Sequence, residues 1–134
     1  MAKHTFTKGE RLCSKRLIDD LFHNGSSFFI HPYRVTFRLT DKREHPVEVL
    51  FAVPKRRFPH AVQRNLLKRR MREAYRQQKH ELYAHIGEST FTLTVAVQYA
   101  TNKMTDYSLL YSRMANVLLR LQHESAQIHM GKAR

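Results

Sequence analysis

Arg64, Lys68, Arg72 and Arg76 recur at every fourth position, with Asn65 and Arg69 beside them and Lys55, Arg56 and Arg57 shortly before. Cations spaced i, i+4 share one side of an α-helix. At a rise of 1.5 Å per residue they form a stripe roughly 18 Å long. Guanidinium groups offer bidentate charge-assisted hydrogen bonds to phosphate, and a carboxamide can both donate to and accept from a sugar or base edge. This is the chemistry of holding a polyanion, not of breaking a bond. Lys55 to Arg76 holds nine bases and a single acid, Glu73, a net +8 within a chain of +13. Like charges at i+4 repel by a few tenths of a kcal/mol per pair, so such a stripe suits a helix whose counter-charge comes from an anionic partner.

The groups that break bonds are poorly placed by comparison. Asp19 and Asp20 are adjacent; on a helix their side chains diverge by about 100° and cannot easily share an ion. Cys13 is the only cysteine, which excludes an internal disulfide and a multi-thiolate zinc site. The nine histidines form no HExxH pattern, and no Ser/His/Asp or Cys/His arrangement stands out. We therefore expect no catalytic residue and no protein-bound metal. The 134 residues fit one domain, 1–134, and 42% hydrophobic content suffices for a modest core. With 24 Lys and Arg against 11 Asp and Glu, and a pI near 10.4, nucleic acid is the expected partner. The lone cysteine and the lack of a signal-peptide core or an apolar run of ~20 residues point to a reducing cytoplasm and no membrane.

Several elements must position the stripe. Residues 1–11 read as an extended arm and 123–134 as a polar, flexible tail. Ser14 caps a first helix with Leu17, Ile18, Leu21 and Phe22 at helical spacing, and Gly25 ends it. A short strand over Ser27 to Ile30 is possible on pattern. From Tyr33 the period is two, with Val35, Phe37 and Leu39 on one face and Arg34, Thr36, Arg38 and Thr40 on the other. A turn leads to a strand from Val47 to Val53, which Pro54 ends. The spacing predicts one long helix from Ala61 to Tyr83, with Val62, Leu66, Leu67, Met71, Ala74 and Tyr75 on its apolar side. Arg70 falls on that side too, its stem along the core edge and its head in solvent. A strand over Phe91 to Val97 and a last helix capped by Thr105 follow. The fold class is α+β, a small sandwich with helices over one face of a roughly four-stranded sheet. The other face, with Arg34, Thr36, Arg38, Thr92 and Thr94, would be polar and partly basic.

The run Arg64-Asn65-Leu66-Leu67-Lys68-Arg69-Arg70-Met71-Arg72-Glu73 resembles the RNxxKRxxRE signature of the bacterial ribonuclease P protein family. Ala52-Val53-Pro54-Lys55-Arg56 resembles the strand end that precedes it in that family. Arg11-Leu12 and the Phe22-to-Gly25 helix end resemble it as well, and the likeness runs from about Phe6 to Leu121. The resemblance implies three helices on a four-stranded sheet, with a left-handed crossover in place of the usual right-handed one. It implies that Lys55, Arg56, Arg64, Asn65, Lys68, Arg69, Arg72 and Arg76 contact a catalytic ribonuclease P RNA. It also implies a cleft lined by Ile18, Phe22, Arg34, Thr36 and Arg38 for the single-stranded 5′ leader of precursor tRNA. Mg²⁺ would be bound mainly by the RNA, and no obligate protein partner is implied. This chain departs from the pattern at Leu66, where many relatives carry Arg, and at Ile18 and Thr36, where aromatics occur. A ribosomal protein or a duplex-DNA binder would share the charge and size; neither accounts for the signature.

Overall fold

Period-two alternation becomes strand, and helical spacing becomes helix, nearly everywhere the sequence places them. The computed structural model describes residues 5–132. A 3₁₀ turn, Lys8–Glu10, precedes α1 (Lys15–Asn24), β1 (Ser26–Ile30), β2 (Tyr33–Asp41) and β3 (Val47–Ala52). Then come α2 (Ala61–Gln78), α3 (His80–Ile86), β4 (Phe91–Tyr99) and α4 (Tyr107–Lys132). The strand order is β1-β2-β4-β3. β1 and β4 each lie antiparallel to β2, while β3 lies parallel to β4, so α2 and α3 form the crossover of a βαβ unit.

The α+β class is as expected, and the helices differ from expectation in two places. The single helix expected over Ala61–Tyr83 is divided at Lys79, which gives four α-helices and not three. The division coincides with a tertiary contact. Lys79 is buried, and its ammonium donates to the Glu10 carboxylate and the Thr5 carbonyl, packing over the Phe6 and Tyr83 rings. The second difference lies at the C-terminus, where α4 continues to Lys132 across the residues from His123 expected as a tail. Ser125 is buried there and Ile128 packs on the core. Residues 1–4 of the expected arm and 133–134 of the tail lie outside the described residues.

The rest of the arm is docked. Phe6 meets Phe51 and Tyr75 edge-on at 5.9 and 5.6 Å. Arg11 bridges Val49 in parallel, and the Leu12 amide donates to the Val49 carbonyl at 3.0 Å. These contacts cover the outer edge of β3, which would otherwise present unpaired backbone groups.

One sheet face carries Val35, Phe37, Val49, Val95 and Val97 and packs against Leu67, Met71, Leu82, Met114 and Leu118 from the helices. Tyr33 reaches across this core and donates to the Leu110 carbonyl at 2.9 Å. Val62, expected on the apolar side, is 80% exposed in the first turn of α2. The opposite sheet face is only partly open. There α1 lays Leu17 and Leu21 on Ala96 and Leu12, with Ile18 and Leu50 at the rim.

Candidate nucleic-acid interface

The α2 stripe stands on the flank away from the buried Leu67, Met71, Ala74 and Tyr75. Asn65 and Arg69 are exposed, and Lys68 and Arg72 are half-buried beside them. Arg64 works locally as well. His60 provides no side-chain cap, and the Arg64 guanidinium instead donates to the Phe58 and Pro59 carbonyls at 2.9 and 2.8 Å, tying the preceding loop to the helix. Phe58 anchors that loop from below, its ring 5.7 Å from Tyr99. Lys55 and Arg56 are thereby left exposed on a fixed loop, while Arg57 donates to Asn102 at 3.1 Å.

Arg76 differs from the rest of the stripe. It forms a forked pair with Glu73 at 3.0 and 2.5 Å, and Gln77 donates to the same carboxylate at 2.8 Å. Those hydrogen bonds, Arg76's first, hold the Glu73 carboxyl down to about 2. At Arg72, burial and the nearby Arg11 both lower the guanidinium from its ordinary range. Arg11 itself stands over the Phe6 ring, 5.7 Å from its centroid. It is thus a basic neighbour of the stripe that helical spacing could not reveal. The Arg70 head does not project into solvent: it donates to the Thr105 carbonyl at 2.9 Å, joining α2 to the turn before α4.

The five residues expected in a leader cleft divide around α1, with Arg38 beside Asp20 and Thr36 buried. α1 crosses the sheet between Arg34 and Arg38, and Thr36 lies beneath its C-terminal end, only 7% exposed. Gly25 allows that close approach. A Cβ there would lie 2.9 Å from the Phe37 carbonyl oxygen and 3.1 Å from Thr36 Cγ2. Arg38 lies on one flank of α1, paired with Asp20 at 2.7 Å. That flank borders a cavity of about 530 Å³ lined by Arg16, Asp20, Arg38, Asp41 and Arg43. Helical geometry turns Ile18 and Phe22 to the opposite flank, towards the half of the face that holds Arg34.

The threonines expected on the open face are buried and satisfied by backbone. Thr92 accepts from the Arg43 amide at 2.8 Å and donates to the His45 carbonyl at 3.0 Å, and Thr94 donates to the Arg38 carbonyl at 3.2 Å. The sequence reading missed Phe29, which lies 50% exposed on the face of Arg34. The available signal was the pair Phe28-Phe29, since adjacent strand residues point to opposite faces and only one can enter the core.

Among the described residues no three His, Cys, Asp or Glu side chains gather as a metal site, and no helix is long and apolar enough to cross a membrane.

Comparison with known proteins bears on this arrangement. A family model described as Ribonuclease P matches residues 6–122. A ribonuclease P protein component of Porphyromonas gingivalis is 34% identical over 116 residues, covering 86% of this chain and 85% of the relative. Its counterpart in Chlorobium phaeobacteroides is 36% identical over 129 residues, covering 90% and 87%. Among solved structures, the RNase P protein of Thermotoga maritima superimposes with a TM-score of 0.64 at 23% identity, covering 83% of this chain and 96% of that one. The RNase P protein of Staphylococcus aureus gives 0.63 at 20%, covering 85% and 95%. At these identities the structural likeness speaks for the fold.

Proposed function

This chain belongs to the ribonuclease P protein family, and on that premise we propose that it assists a catalytic RNA in removing the 5′ leader from precursor tRNA. The observation that carries this reading is the outward flank of α2. Asn65, Lys68, Arg69 and Arg72 stand there over a buried apolar side, and the helix's only acid is committed to Arg76. In this reading the stripe, with Lys55, Arg56 and Arg64, binds the RNA subunit through its phosphates. Arg34, Ile18 and Phe22 face the single-stranded leader, and Thr36 shapes the floor beneath α1 without touching RNA. Arg38 is a weaker candidate than its position in β2 suggests, because it is already paired with Asp20.

The protein's part is binding, and the hydrolytic centre belongs to the RNA. Among the described residues no three acidic side chains gather to hold Mg²⁺, and at least four of the eleven acids are already paired with cations. Asp20 is engaged by Arg38, Glu48 by Arg43, Glu10 by Lys79 and Glu73 by Arg76. We therefore assign no step to a protein-held ion. Mg²⁺ bound by the RNA would supply the activated water. The protein's cations reduce phosphate repulsion between RNA subunit and substrate, which lowers the ion concentration the RNA needs. Work in the cytoplasm and a broadened substrate range belong to the same proposal.

The test is cleavage of precursor tRNA by ribonuclease P RNA at limiting Mg²⁺, with and without the protein. A protein-dependent gain that disappears when the leader is cut to one nucleotide is the expected result. Equal rates with and without protein would sink the proposal.

A further inference from the structure

Phe28 and Phe29 are neighbours in β1 with opposite fates. Phe28 enters the core against Phe37 at 5.9 Å, while Phe29 keeps half its surface in solvent. A single exposed hydrophobic residue is ordinary, so exposure alone carries nothing. The surroundings of Phe29 decide. The β1–β2 register sets it opposite Arg34, whose guanidinium lies over its ring at 6.0 Å from the centroid. The His31 ring stands 6.3 Å away. Phe22, 44% exposed, projects from the flank of α1 that faces this same half of the sheet. The acids that touch this face lie elsewhere: Asp20 is held by Arg38 across α1, and Glu48 is buried against Arg43. Arg34 has no acidic partner among the described residues.

An exposed ring at an edge strand, with an uncompensated guanidinium over it, matches the chemistry of an unpaired nucleobase and its phosphate. Folded proteins and duplexes present few flat unpaired π-faces, whereas single-stranded RNA presents one at each nucleotide. We propose that Phe29 and Arg34 form a stacking site for a base of single-stranded RNA, with Arg34 also contacting that nucleotide's phosphate. The site rests on the reading of this face as the leader surface and deepens it. It supplies an aromatic platform where Ile18 and the buried Thr36 provide none.

The experiment measures the affinity of the holoenzyme, RNA subunit included, for precursor tRNA with a long single-stranded leader and with a one-nucleotide leader. Phe29→Ala should weaken the long-leader complex about five-fold or more, the loss expected for one base–aromatic stack, and leave the short-leader complex unchanged. Phe29→Tyr keeps the ring and should bind like the parent. Arg34→Ala, at an exposed position, should show the same leader-dependent loss even if Phe29→Ala proves unstable in a thermal melt. If the parent prefers the long leader and both alanine variants bind it equally well, the stacking site is overturned and the leader reading stands. Equal losses on both leaders would also overturn it, because they would place the defect in assembly. A parent that does not distinguish the two leaders would remove the leader reading, and this site with it.

Discussion

Glu73 occupies an unusual position among the basic residues of α2, because both of its oxygens are taken by Arg76 and one also by Gln77. The i+4 spacing displays Arg76 as a fourth member of the stripe, yet its charge is already answered three residues back along the same helix. Glu73→Gln removes the counter-charge and releases Arg76 to a phosphate. We predict tighter assembly with the RNA subunit, and a plot of log K against log salt that steepens by about 0.7–0.9 if one more phosphate is neutralised; an unchanged slope would refute it. Acid will not mimic the substitution above about pH 3. A depressed carboxylate contributes its pairing above the ordinary carboxylate range and loses it only as pH falls through the folded value, which here is about 2. At this scale the identities of the phosphate-binding residues were legible from spacing and charge. Their internal pairings, and the approach of Arg11 to Arg72, depend on side-chain placement that a wheel does not carry.

The break between α2 and α3 shows what one-dimensional patterns leave out. Nothing in the run from Ala61 to Tyr83 forbids a continuous helix, and Lys79 there reads as one more surface cation. Its partner Glu10 lies 69 positions away. Burial alone would raise the Glu10 carboxyl, but the hydrogen bonds from Lys79 and the Thr7 amide, with Lys79's charge, outweigh it and hold the group below its ordinary value. Removing one partner of a buried pair leaves the other uncompensated, so Glu10→Ala should cost about 3–5 kcal/mol in chemical denaturation at neutral pH. The joint replacement of Glu10 and Lys79 by Met should cost less than Glu10→Ala alone. For the folded parent the pair's stabilisation is present above the usual carboxylate range and declines as pH drops through the lowered Glu10 value. A double variant no more stable than Glu10→Ala would show that the contact is not a coupled pair. The C-terminal half of α4 was hidden for another reason: its outward face is polar, and the inward contacts of Ser125 and Ile128 are too few to mark a period.

Across the whole molecule, the sheet serves two different layers. Its main face shares one apolar core with α2, α3 and α4, and that arrangement was legible because strand and helix periods both point to it. The other face was read as open because its residues are polar. Its real form depends on where α1 lies, a tertiary fact set by Leu17, Leu21 and the lack of a Cβ at Gly25.

α1 is attached through the small cluster of Leu12, Leu17, Leu21 and Ala96, separate from the main core. A helix held this way can open as its own cooperative unit while the core stays shut. Its backbone amides should therefore exchange with deuterium well before those of β4, at a free energy below that of global unfolding. The flank that carries Ile18 and Phe22 would then be an adjustable wall set against a rigid floor, able to yield to strands of differing sequence.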